Sequence, residues 1–180
     1  MAKRLELLSE LVPRAARIAV LVNPADVAST EATVRDTEVA ARTIGLQLDV
    51  LNANTSREIA SAFESMAREG YKALFVGTSG YFTSRRVQLV QLAAFNHLPA
   101  TYALREYVEA GGLMSYGANI SDAIWQMGVY AGRILKGAKP EDLPVVQSSK
   151  LELVINVETA RMLGVAVPPS LLATADEVIE

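Results

Sequence analysis

Four polar loops carry the side chains with which this chain could do chemistry: NPADVAST (23–30), GTSGYFTS (77–84), TYALRE (101–106) and SYGANISD (115–122). Each follows a short apolar run, and most lead into a helical stretch. In an open α/β sheet, ligands settle in the crevice beyond the carboxyl ends of the strands, so loops in this position mark a small-molecule site. Their Asn, Ser, Thr and Tyr side chains hydrogen-bond and stack, and almost none of their residues can break a covalent bond. Asn23, Ser79, Tyr81, Tyr102, Arg105 and Tyr116 are expected around a bound molecule. Tyr81, Phe82, Tyr102 and Tyr116 could stack on a flat ligand or serve as core packing. Arg105, just past a strand and not paired with a second cation, would suit a bidentate contact to a carboxylate.

Other chemistries fail on residue type. The loop 23–30 contains no glycine, so a pyrophosphate could not approach the backbone as it does in dinucleotide-binding enzymes, and no Walker loop occurs. One histidine and no cysteine leave no nucleophile–base pair, no thiolate or histidine metal site and no disulfide. No catalytic residue and no cofactor are expected. The lone His97 precedes a strand at the opposite end of the sheet from the loops. Ser79 and Ser84 serve equally as turn residues or a helix cap. Arg85 and Arg86 open a helix, where the dipole disfavours cations; they face either an anion or solvent.

The elements that must position the loops follow from periodicity. RIAVLVN (17–23), LQLDVLN (46–52), KALFVG (72–77), LPATYA (98–103), GLMSYG (112–117) and LELVINV (151–157) read as strands, and near-continuous apolar runs such as 17–23 suit strands covered on both faces. Helices are expected over 29–44, from Thr55 (with Glu58 in a capping-box pattern) to Gly70, over 84–96, as a short turn in LREYVEA, over 122–137 capped by Ser121, and in ETARMLG. Pro140 and Pro144 mark an extended crossing segment. Strands alternating with helices make a doubly wound parallel sheet, a Rossmann-like or flavodoxin-like three-layer sandwich. Right-handed crossovers order the first five strands 2-1-3-4-5.

At 180 residues the chain is one domain with room for a core. Hydrophobic residues make up 51 %, yet no run approaches the roughly 18 residues that span a bilayer. A net charge of −3 with interspersed signs offers no field to nucleic acid or anionic lipid. The start, MAKRLELLSELVP, is not a secretory signal, because Glu6, Ser9 and Glu10 interrupt it at helical spacing; Leu5, Leu8 and Val12 share one side of an amphipathic helix. In the 122–137 helix Ile124, Met127, Ala131 and Ile134 form a stripe while Trp125, Val129 and Leu135 lie off it. That helix should be covered on more than one side, and a homodimer through 122–137 is expected.

KRLELLSELVPRAARIAVLVNP, LPATYALREYVEAGGLMSYGANISD, GRILKGAKPEDLPV and LELVINVETARMLGVAVPPSLLATADEVIE together resemble the ABC-transporter substrate-binding family that includes tryptophan-binding lipoproteins, a branch of the type I periplasmic binding proteins. Members of that family are about twice as long and trap ligand between two lobes. The resemblance implies that residues 1–180 are a single α/β domain corresponding to the C-terminal lobe, with 122–137 a returning helix that packs on the first lobe or on a partner chain. It implies a solute-binding component of an ABC importer, a permease as partner and a periplasmic location; the unsignalled N-terminus by itself is also compatible with the cytoplasm. By position, Asn23–Ser29, Thr78–Phe82, Tyr102–Arg105 and Tyr116–Asn119 face the cleft, which adds Ser29, Thr78 and Asn119 to the expected contacts. Relatives often carry an Asp after the third strand, suited to a substrate amine, where this chain has Thr78-Ser79-Gly80. An aromatic or carboxylated ligand is therefore as much in view as an amino acid. The alternatives are a small flavodoxin-like enzyme, which needs a dyad or cofactor that the sequence lacks, and a truncated lobe that only self-associates.

Overall fold

A computed structural model describes residues 1–144 and 151–180. The strands are β1 (Arg17–Val22), β2 (Gln47–Asn52), β3 (Leu74–Val76), β4 (Ala100–Tyr102), β5 (Met114–Ala118), β6 (Leu151–Asn156) and β7 (Glu177–Ile179). They form one seven-stranded sheet in the order β2-β1-β3-β4-β5-β6-β7. The first five are parallel, in the order expected for right-handed crossovers.

The far edge departs from an all-parallel sheet. β6 pairs antiparallel with β5, and Ala118 at the end of β5 lies opposite Leu151 at the start of β6. Because β6 enters where β5 leaves, it can only run back along its neighbour. β7, a strand not foreseen, adds to β6 in parallel. The extended crossing segment expected after Pro140 begins with a 3-10 turn, Pro140–Asp142, and runs on into residues outside those described.

The helices are α1 (Ala2–Leu11), α2 (Val27–Ile44), α3 (Ser56–Glu69), α4 (Gly80–Ser84), α5 (Arg86–Phe95), α6 (Arg105–Glu109), α7 (Ile120–Leu135), α8 (Val157–Met162) and α9 (Pro169–Thr174). Thr55 accepts from the Glu58 amide at 3.2 Å, and the Glu58 carboxylate takes the Asn54 amide at 2.7 Å. This is the anticipated capping pair, with the return bond one residue earlier. Gly45 and Gly70 end α2 and α3 in the left-handed conformation. The expected 84–96 helix is α5, preceded by an unforeseen short helix, α4, in the loop after β3, and α7 begins on an Asn119 cap instead of Ser121.

Alternate residues of each central strand feed opposite faces. Val20, Phe75, Met114 and Ile155 pack with Leu5, Leu8 and Leu11 of α1 and with Leu171 of α9. Leu21, Leu74 and Val76 pack on the other face with Ile59, Phe63 and Met66 of α3 and with Phe82, Leu89 and Tyr107. Each such fully buried side chain is worth about 1.5–3 kcal/mol. Among the described residues no helix is long and apolar enough to cross a membrane.

Where β5 leaves the sheet the chains come very close. A Cβ on Gly117 would stand 1.9 Å from the Ala103 carbonyl oxygen, a backbone atom that cannot step aside, whereas one on Gly80 would meet nothing within 4 Å. Gly117→Ala is expected to lower the free energy of unfolding by roughly 2–3 kcal/mol. Gly80→Ala should stay within about 0.5 kcal/mol of wild type. Urea denaturation of the two variants checks the contrast.

Candidate functional site

The loop after β1 is held to the loop after β3 by its own polar side chains. The Asn23 amide donates to Ser79 Oγ at 3.0 Å, while Asn23 Oδ1 takes the Ala25 amide at 3.1 Å and closes a local turn. The Thr30 hydroxyl donates to the Asn23 carbonyl at 2.6 Å, and the Ser29 hydroxyl donates to the Thr78 carbonyl. Tyr81 stands half-buried beside this seam, its hydroxyl 3.4 Å from Ser56 Oγ, with Arg85 over its ring. Asn23 and Ser79 are buried and mutually satisfied, so they brace the rim, while Thr78 stays exposed on it.

Next to the seam, above the ends of β3, β4 and β5, opens a cavity of about 380 Å³. Its walls are Leu104, Tyr116, Ala118, Ile120 and Leu151, with Thr78 at the rim side and Arg4 of α1 beneath. Arg4 was no part of the expected site. It stands one residue before Leu5 and four before Leu8, on the apolar side of α1 and not among the charges of its outer side. That register is the sequence signal that marks it. The Arg4 guanidinium donates to the Val76 carbonyl at 2.7 Å and lies 3.9 Å over the Phe75 ring.

Arg105, next in the chain to Leu104 but not in the cavity lining, is fully engaged. Its Nε meets Glu109 at 2.9 Å, one terminal nitrogen meets Glu177 at 2.8 Å, and the other lies 3.5 Å from Glu152. The Glu109 hydrogen bond, followed by Glu177 and Glu152, pushes its pKa up. Asn119 donates to the same Glu152 oxygen at 2.7 Å and caps α7 through Asp122. Arg105 therefore ties α6 to β6 and β7, and its expected role as the partner of a ligand carboxylate gives way to this one.

Two further expectations are corrected. Tyr102 is 1 % exposed and stacked on Tyr107 at 4.6 Å, and Phe82 is fully buried, so both belong to the core. Desolvation pushes the Tyr102 hydroxyl pKa up. Of the expected aromatics, Tyr116 alone lines the cavity, while Tyr81 faces Ser56 outside its lining. Thr78 joins the two regions; Asn23, Ser29 and Ser79 support the rim, and Asn119 supports Glu152. His97 is exposed just before β4, away from the loops. Among the described residues no cluster of three or more His, Asp or Glu is placed to hold a metal ion.

Comparison with known proteins follows the same outline. Residues 1–179 match the family model described as ABC transporter substrate binding protein. A tyrosine-binding protein of Clostridioides difficile (strain R20291) is 26 % identical over 161 residues, which is 89 % of this chain and 46 % of that protein. An ABC domain from Streptococcus pneumonia, solved in complex with L-Trp, superimposes with a TM-score of 0.86 at 28 % identity, covering 99 % of this chain and 60 % of that one. The ligand-free, open structure of a substrate binding protein with adhesive properties from Clostridium difficile gives 0.69 at 25 % identity, covering 98 % and 59 %. The chain thus spans about half the length of the curated relative and three-fifths of these solved chains.

The Arg105 hub makes its own forecast. Removing it leaves Glu152, which is 5 % exposed, with Asn119 as its only remaining partner. Arg105→Ala is expected to destabilise the ligand-free protein by roughly 2–3 kcal/mol. Chemical denaturation without ligand reads it.

Proposed function

We propose that this chain, which belongs to the ABC transporter substrate-binding protein family, forms one wall of a solute-binding cleft that delivers a small ligand to an ABC importer. The observation that carries the reading is the apolar cavity at the carboxyl ends of β3, β4 and β5, braced by the Asn23–Ser79 seam and lined by Thr78 and Tyr116. Such a site holds a small molecule by burial and a few placed polar groups. The named relatives, one tyrosine-binding and one solved with L-Trp, support an aromatic amino acid or a related carboxylated compound. The protein acts by binding alone, and closure over the ligand is what a permease would sense. A periplasmic or surface location follows from that role.

The outer face of α7 belongs to the same proposal. None of its residues is buried, and Trp125, Met127 and Ile124 are all more than half exposed. Gly128 and Gly132 leave open space on the helix for a close neighbour. A patch of this kind on a helix end calls for a cover. A second copy of this chain, related by a two-fold axis, supplies it.

In thermal-shift measurements with L-tryptophan, L-tyrosine and simple aromatic acids, at least one of these classes should raise the melting temperature by a few degrees at millimolar ligand. Tyr116→Ala should remove most of that shift. A ligand mapped by NMR to the His97 end would overturn the reading. Light scattering at tens of micromolar is expected to give a dimer for wild type and monomer or aggregate for Trp125→Glu; a monodisperse wild-type monomer refutes the pairing.

A further inference from the structure

Two arginines stand near the carboxyl ends of the strands, Arg4 in the cavity lining and Arg105 beyond it, and are treated in opposite ways. Arg105 meets three carboxylates. Arg4 meets none among the described residues, and residues 145–150, VVQSSK, contain neither Asp nor Glu. Yet Arg4 is the more buried of the two, at 2 % exposure. One carbonyl hydrogen bond and an aromatic face engage it, and its Nε is buried with no partner at all. Burial draws its pKa down to about 9, which still leaves it cationic at neutral pH. An ionised group in such surroundings is costly unless an opposite charge offsets it.

The cavity above Arg4 supplies the place for that charge. Its volume of about 380 Å³ falls within the range of small-molecule sites, and none of its lining residues is acidic. An ammonium group would find there a cation and no counter-charge. A carboxylate would find a guanidinium with donors to spare, and an apolar body would find Leu104, Tyr116, Ile120 and Leu151.

We propose that Arg4 is the carboxylate anchor of this cavity, and that the ligand class it selects is an apolar monocarboxylic acid without an α-ammonium group. This rests on the solute-binding reading and narrows its ligand. The acid's carboxylate pairs with Arg4, and its hydrocarbon or aromatic part lies against Tyr116 and Leu151. The free protein carries an unmatched charge that only ligand relieves.

The test uses 3-phenylpropionate, its neutral amide 3-phenylpropionamide, L-phenylalanine and L-tryptophan, titrated against the wild-type chain by NMR and thermal shift. The acid is expected to bind at least tenfold tighter than the amide and tighter than L-phenylalanine, and to move the Arg4 side-chain Nε–H resonance. Arg4→Met should raise the melting temperature of the free protein by a few degrees and erase the preference for acid over amide. A merely structural arginine would do the reverse, losing stability and leaving the preference intact. Should Arg4→Met fail to fold, Ala118→Leu fills the cavity with Arg4 in place and should abolish binding of acid and amide alike. Equal binding of acid and amide by wild type overturns the proposal. Binding of L-tryptophan without 3-phenylpropionate overturns it too, while leaving the solute-binding reading in place; binding of none of the four overturns both.

Discussion

With Ile18 to Val22 and Leu74 to Val76 all at 1 % exposure or less, β1 and β3 can present nothing to solvent except their ends. That double burial is the constraint from which the rest of the molecule follows. Helices must cover both faces, so the polar groups of the loops are gathered at one edge, where successive crossovers begin. The amino ends of the strands are spent on short turns. The carboxyl ends keep room for polar side chains at the crevice where such folds bind ligands.

The same constraint sorts the charges. Arg105 sits where β5, β6 and β7 meet and draws in Glu109, Glu152 and Glu177, so its charge goes to holding the antiparallel edge against α6. Arg4 lies under the opening, between α1 and β3, where the sheet offers a carbonyl and an aromatic ring but no acid. Coulomb attraction in a partly desolvated setting is several times stronger than in bulk water. One residue therefore acts as a fastener, while the other has no acidic partner among the described residues. The Asn23–Ser79 bond belongs to the first category, since it aligns two loops and has little left to give to a ligand.

The walls of the opening come from distant parts of the chain. Met1 and Arg4, the β5–α7 junction at Ala118 to Ile120, and Leu151 at the start of β6 converge on it. Small relative movements of α7 or α1 would therefore change the shape of the cavity directly. α7 itself makes no buried contact with the sheet, which leaves it dependent on whatever covers it.

Local pattern alone was enough to read the sheet order through β5, the crossovers, the Thr55 cap and the loops at the carboxyl ends, because apolar period, caps and turn residues act over a few positions. The tail hid β7, whose Glu177-Val178-Ile179 is too short to show a period, and nothing local could reveal that β6 runs backwards. Of the residues expected around a ligand, Thr78 and Tyr116 line the cavity, while others turn into the core or into ion pairs. Loops reveal which side chains stand near an edge; they do not reveal which way a side chain turns. Tyr102 turned inward onto Tyr107, and Arg105 met carboxylates from as far away as Glu177. Arg4 reached the cavity from a helix that reads as surface. The sequence by itself determined the layered α/β fold and the edge at which its polar loops gather, because burial and helix signals are local. Tertiary structure alone decided which arginine meets carboxylates and which meets none among the described residues, because ion pairing depends on residues brought together from opposite ends of the chain.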